Sequence, residues 1–162
     1  MKKILLIVSV ITLFTACKKD FSVWKEYNDA EFKKFETNLG NNSSYVTESF
    51  KTPSGALVEV FHRGQTGKIP KLADYIYCKQ SGCLIDGTFF EPMDSRSYYV
   101  LDKQKGLSEA LCKMPQGSHF IVYVPYELGY GKDGSKYYTF FIPPYSTLIY
   151  EIEIVDIEPN LP

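Results

Sequence analysis

Histidine, cysteine and tryptophan are scarce in this chain: two His, four Cys and one Trp among 162 residues. His62 and His119 are far apart in sequence, and neither is spaced with a cysteine pair, which argues against a zinc-type site. No metal and no cofactor is expected. Charge of one sign is also lacking. The 18 Lys and Arg residues nearly balance 19 Asp and Glu, for a formal charge of −1. That removes the electrostatic case for a nucleic-acid partner. Gly129-Tyr130-Gly131 has neither the Lys-Ser/Thr pair nor the length of a phosphate loop, which speaks against nucleotide binding. No Ser/His/Asp set stands out. The N-terminal apolar run, residues 4–14, falls short of the roughly 20 residues that a membrane-spanning helix needs.

What remains is aromatic. Thirteen Tyr and eleven Phe, within a hydrophobic content of 44%, supply a sizeable core or an aromatic-lined groove rather than a disordered chain. They concentrate in residues 121–154, where two alternating apolar segments flank a loop holding Tyr130, Tyr137, Tyr138, Phe140 and a Pro143-Pro144 turn.

The first residues read as a targeting segment. Lys2 and Lys3 precede the apolar run, and Phe14-Thr15-Ala16-Cys17 resembles a lipoprotein signal. That resemblance implies cleavage before Cys17, lipidation of Cys17, export and anchoring to a membrane of the cell envelope, with the Gram-negative outer membrane the expected place. An ordinary signal peptide with an incidental cysteine is the alternative. Cys78, Cys83 and Cys112 then remain. An odd number leaves at least one free thiol, and the apolar surroundings favour buried free cysteines acting as small hydrophobes.

Residues 18–39 carry Phe21, Trp24, Phe32, Phe35 and Leu39 near one face at helical spacing, with Asn28 interrupting that face. This predicts an amphipathic arm, followed by a Gly-Asn-Asn-Ser-Ser linker ending near residue 51. The arm can pack on its own domain, on an envelope partner or on a second copy, and its own domain is favoured. The folded unit is expected over 52–162. Strands are expected at 56–61, 73–79, 98–101, 120–124 and 148–155, with an irregular polar stretch between Phe90 and Tyr98. Asp86-Gly87 reads as a tight turn. Leu107, Ala110, Leu111 and Met114 form one apolar face of a helix, ended by Pro115 and Gly117. Short connections favour antiparallel pairing. The expected class is α+β: a small antiparallel sheet curled around one short helix, with an N-terminal helical arm.

The order of motifs then becomes recognisable. Gly82-Cys83-Leu84-Ile85-Asp86-Gly87-Thr88-Phe89-Phe90, the helix from Gly106 to Gly117, Val124-Pro125-Tyr126-Glu127-Leu128-Gly129-Tyr130-Gly131, and Ile142-Pro143-Pro144 running on to Ile154 together resemble the FKBP-type peptidyl-prolyl cis-trans isomerase family. The resemblance implies an antiparallel sheet half-wrapped around a helix, proline-containing polypeptides as substrates, and isomerisation in an apolar cup. It implies catalytic roles for Tyr130, Phe90 and Glu91, and a substrate-binding surface of Leu107, Gln104, Phe141, Ile142, Tyr150 and Gln80. Leu107 stands where the family has Trp, Gln80 where it has Tyr, Gln104 where it has Val or Ile, and Glu91 where it has Asp. These replacements leave open a second reading, a non-catalytic FKBP-like module that binds within an envelope complex.

Overall fold

The computed structural model describes residues 20–136 and 140–160. The expected signal segment, Cys17, Tyr137 and Tyr138 lie outside the described residues. Among the described residues, no helix is long and apolar enough to cross a membrane.

The chain runs α1 (Ser22–Thr37), β1 (Glu48–Lys51), β2 (Leu57–His62), β3 (Tyr75–Leu84), β4 (Phe89–Tyr99), a 3₁₀ turn (Val100–Asp102), α2 (Lys105–Leu111), β5 (His119–Val124), a 3₁₀ turn (Tyr126–Leu128), β6 (Ser135–Lys136), β7 (Phe141–Ile142) and β8 (Leu148–Glu158). Six strands form one antiparallel sheet in the order β1-β2-β5-β8-β3-β4, and β6 and β7 form a separate small hairpin. The expected α+β class, a sheet curled around one short helix, is what the chain adopts.

Period-two alternation explains how the sheet sits. Leu148, Tyr150, Ile152 and Ile154 of β8 are buried, as are Phe120, Val122 and Val124 of β5. They meet Leu107, Ala110, Leu111 and Met114, all fully buried, so α2 lies across this face. Seven residues are too few for a helix to persist alone. Burial of its two leucines, at about 1.5–3 kcal/mol each, holds it in place. Gly106 permits the approach, since a Cβ there would lie 2.9 Å from that of Ala56.

The opposite face of the sheet takes α1. Phe35 stacks on Tyr123 with ring centroids 4.5 Å apart. Past the helix, Gly40 N–H and Asn42 Nδ2 donate to Oε1 of the buried Glu59, and Tyr123 OH donates to its Oε2. Three donors satisfy a carboxylate that would otherwise be costly to bury. Asn28, which interrupts the apolar face in sequence, is fully buried. Its Oδ1 accepts the Thr147 N–H at 2.7 Å, and its Nδ2 donates to Trp24 O at 2.8 Å. The arm therefore packs on its own domain.

Four expectations are corrected. Helix α2 ends at Leu111 rather than at Pro115, so Met114 joins the core from the turn beyond it. The stretch after Phe90 is not irregular: residues 89–99 form an 11-residue strand. It escaped the alternation rule because it is an edge strand, largely solvated and bulged against β3 at Gln80 and Gly82, and an edge tolerates Pro92. Residues 98–101 accordingly end β4 and enter a 3₁₀ turn rather than forming a strand of their own. In addition, β1 lies inside the segment read as linker and pairs with β2. The Asp86-Gly87 turn forms as expected, with Gly87 at φ +85° and Asp86 Oδ1 accepting the Thr88 N–H. The three cysteines described are free. Cys78 is buried, while Cys83 and Cys112 are partly exposed.

Candidate active site

A cavity of about 410 Å³ opens between the β3–β4 edge of the sheet, the 3₁₀ turn before α2 and the β6–β7 hairpin. Gln80, Phe90, Glu91, Gln104, Tyr130, Ile142 and Tyr150 line it, together with Pro92, Arg96, Asp102, Lys103 and Phe140. Most of the residues expected at the site thus converge from six separate segments.

Two expected residues do not line it. Leu107 is fully buried in the core among α2 and the sheet. Phe141 is exposed and faces Phe21 of the arm, at 6.5 Å between centroids. Alternation along the hairpin strand accounts for Phe141: Ile142 turns inward, Phe141 outward, and Phe140 returns to the cavity side.

The apolar wall rests on one glycine. Phe90 and Tyr150 meet edge-to-face at 5.6 Å. Gly82, in register with Tyr150, lies beneath the Phe90 ring, and a Cβ at that position would come within 2.5 Å of two ring atoms.

The other wall is polar, with Tyr98, Gln80, Glu91, Arg96 and Asp94 in one hydrogen-bonded chain. Tyr98 OH donates to Gln80 Oε1 at 2.6 Å, and Gln80 Nε2 donates to Glu91 Oε2 at 3.0 Å. Arg96 Nε donates to Glu91 Oε1 at 2.7 Å, and its Nη1 donates to Asp94. Gln80 has no exposed surface, so each end of its amide is satisfied inside the protein. Glu91 holds the Arg96 guanidinium charged. Lys103 places its Nζ 3.6 Å from the centroid of the Tyr98 ring, a cation–π contact. Burial pulls the Lys103 amine below its ordinary pKa and pushes the Tyr98 phenol far above its own. The side-chain Oε1 of Gln104 is buried without a hydrogen-bond partner.

Arg96, Tyr98 and Phe140 were missed from the sequence. Had residues 89–99 been taken as a strand, the i, i+2 spacing of Arg96 and Tyr98 would have placed both on one face, where both are partly buried. Among the described residues, no group of three or more His, Cys, Asp or Glu is placed to hold a metal.

The family model described as FKBP-type peptidyl-prolyl cis-trans isomerase matches residues 67–155, more than half of the chain. The chain belongs to this family. Similar proteins include the FKBP-type 22 kDa peptidyl-prolyl cis-trans isomerase of Escherichia coli K12, 33% identical over 135 residues, covering 77% of this chain and 64% of that protein. The isomerase FkpA of the same strain is 30% identical over 139 residues, covering 82% and 47%. Outer membrane protein MIP of Legionella longbeachae is 31% identical over 142 residues, covering 80% and 58%. The chain therefore spans less than two thirds of the length of these relatives. Among solved structures, FkpA from Escherichia coli superposes with a TM-score of 0.71 at 26% identity, covering 86% of this chain and 63% of that one. A Pseudomonas syringae isomerase shares the fold at a TM-score of 0.67 and 21% identity, covering 83% and 96%.

For this FKBP-type chain, the glycine under Phe90 makes a specific prediction. Gly82→Ala should push Phe90 off Tyr150 and lower stability by about 1–3 kcal/mol, the cost of overpacking. Urea unfolding checks this, and circular dichroism confirms that the variant is folded.

Proposed function

We propose that this chain is a peptidyl-prolyl cis-trans isomerase of the cell envelope that assists protein folding. The observation that carries the reading is the convergence of Phe90, Tyr130, Ile142 and Tyr150 on one cavity. An X-Pro bond resists rotation because of amide resonance, with a barrier of about 18–20 kcal/mol for a peptide bond. Twisting removes the resonance and its charge separation, so an apolar, partly dry cup favours the twisted state over the planar one. No covalent intermediate is needed. A 10⁴-fold acceleration requires only about 5.4 kcal/mol of differential binding.

In this reading Phe90 and Tyr150 grip the proline ring and Ile142 closes the cup. Leu107 supports the floor from the core, and Phe141 flanks the entrance from the arm side. Tyr130 offers its hydroxyl to the substrate carbonyl, and the backbone N–H of Gln104 is a second donor. Glu91, fixed by Gln80 and Arg96, sets the electrostatics of the polar wall. A non-catalytic peptide-binding module is the second reading. It is favoured by that polar wall and by the unpartnered Gln104 Oε1, which suit holding a peptide as well as twisting it.

The proposed organisation is a signal segment over 1–16, a lipid-anchored arm and linker over 17–51, and the isomerase domain over 52–162. The relative bearing an outer-membrane name supports the envelope location. Anchoring at Cys17 is tested by Cys17→Ser, which should move the protein from the membrane fraction to the soluble fraction of the envelope. Nuclear magnetic resonance exchange on a Leu-Pro peptide tests the isomerase reading. Cis–trans exchange cross-peaks should appear with catalytic amounts of protein, and peptide binding without exchange would favour the second reading. Tyr130→Phe should slow exchange about fivefold, the effect of roughly 1 kcal/mol for one net hydrogen bond.

A further inference from the structure

Helix α1 holds a turn that borders the cavity. Residues 143–147 connect Ile142, on one wall, to β8, which carries Tyr150. This turn is held from the arm at two points. Trp24 Nε1 donates to Ser146 Oγ at 3.0 Å, and Ser146 Oγ donates in turn to Pro143 O at 2.7 Å. Asn28 Oδ1 accepts the Thr147 N–H at 2.7 Å. Asn28, Ser146 and Thr147 are all buried, so the turn is braced in a dry setting. It is also strained. Tyr145 has φ +62°, a conformation that a bulky side chain disfavours. Its N–H donates to Gly131 O at 2.9 Å, beside Tyr130, and its ring meets Tyr126 edge-to-face at 5.3 Å. One chain of contacts therefore runs from α1 through the turn to both Ile142 and the Tyr130 segment.

The interrupting asparagine in the arm now has a purpose. An apolar residue at position 28 would extend the hydrophobic stripe but leave the Thr147 N–H buried and unpaired. Asparagine is short enough to sit between Trp24 and Phe32 and still present an acceptor to the turn.

We propose that α1 is a positioning element for the candidate active site in the same chain, acting through Asn28 and Trp24 on the strained turn. The inference rests on the reading of the cavity as a proline-peptide site. A loosened turn lowers the fraction of molecules whose cavity is competent to bind, and apparent affinity falls by that fraction. Neither Asn28 nor Trp24 lines the cavity, so the chemistry of a bound substrate is left intact.

The test uses the mature chain and two variants, Asn28→Ala and Trp24→Phe, at a temperature where circular dichroism shows all three folded. Trp24→Phe keeps an aromatic ring against the core and removes the donor to Ser146, with a small loss of ring volume. Isomerisation of a Leu-Pro tetrapeptide should show KM raised about fivefold with kcat within about twofold, the pattern of lost uniform binding. Hydrogen exchange should rise at the Thr147 amide while the β3–β8 pairing stays protected. Unchanged KM in both variants overturns the proposal, whether or not exchange rises, because the arm then only stabilises the fold. A wild-type chain that binds the peptide without isomerising it defeats the isomerase reading alone. In that case the ratio of peptide Kd values, variant over wild type, decides this inference by the same fivefold criterion.

Discussion

Phe90→Ala is expected to lower kcat/KM for a Leu-Pro peptide by about 30- to 100-fold, a loss of roughly 2–2.7 kcal/mol at 1.36 kcal/mol per tenfold. Two contributions combine. The edge-to-face pair with Tyr150 is worth about 0.5–1.5 kcal/mol beyond its buried area. The larger part is the opening of the cup. With the ring gone, water reaches the bound amide, restoring the solvation of its charge-separated planar form. The effect should exceed that of Tyr130→Phe, which deletes one hydrogen bond but leaves the cup closed. Because Phe90 is only partly buried, its truncation should cost less stability than the ~3–5 kcal/mol typical of a fully buried Phe. Peptide kinetics alongside urea unfolding separates the two effects. Equal activity in wild type and variant would mean that the aromatic wall does not hold the proline.

The second large effect is expected at Gln80, and it is one of stability. Gln80→Leu preserves volume approximately but leaves Tyr98 OH without its acceptor at 2.6 Å and removes one donor from Glu91. Tyr98 is mostly enclosed, so its hydroxyl has little water to turn to. Leaving a buried polar group unsatisfied costs about 1–3 kcal/mol, more where a charged group also loses a partner. A loss of about 2–4 kcal/mol is therefore expected, visible as a lower urea midpoint with unchanged slope. Gln80→Glu should fare no better, since a second carboxylate would face Glu91 with little solvent between them. A variant as stable as wild type would show that the polar wall is not a connected unit.

How far these features could be read from sequence depended on which physical signal each residue carries. The last strand was legible because Leu148, Tyr150, Ile152 and Ile154 alternate without interruption. The helix carrying Leu107, Ala110 and Leu111 was legible at helical spacing, but it stops at Leu111, and Met114 packs from the turn beyond it. Strand β4 was hidden because an edge strand can be polar on most positions and can carry Pro92, so neither alternation nor β-propensity announces it. That cost the recognition of Arg96 and Tyr98 as parts of the wall. Asn28 looked like a break in an amphipathic face because its partner, the Thr147 backbone N–H, lies 119 residues away. No local pattern encodes such a pair. The placing of Phe140 rather than Phe141 against the cavity turned on the register of a two-residue strand, which the aromatic run alone leaves ambiguous. Gln80 posed the reverse problem. The sequence showed an amide where the family has a phenol, and its need for partners was evident, but Tyr98 as the supplier of one was not.

The proposed function requires that the cavity lined by Phe90, Tyr130, Ile142 and Tyr150 isomerise X-Pro bonds. Refolding of a protein whose slow phase is limited by proline isomerisation tests it most directly, because that phase lasts tens to hundreds of seconds unaided. The slow phase should accelerate in proportion to the concentration of the mature chain, and Phe90→Ala should largely abolish the acceleration. A slow phase unchanged at micromolar wild-type protein would contradict it.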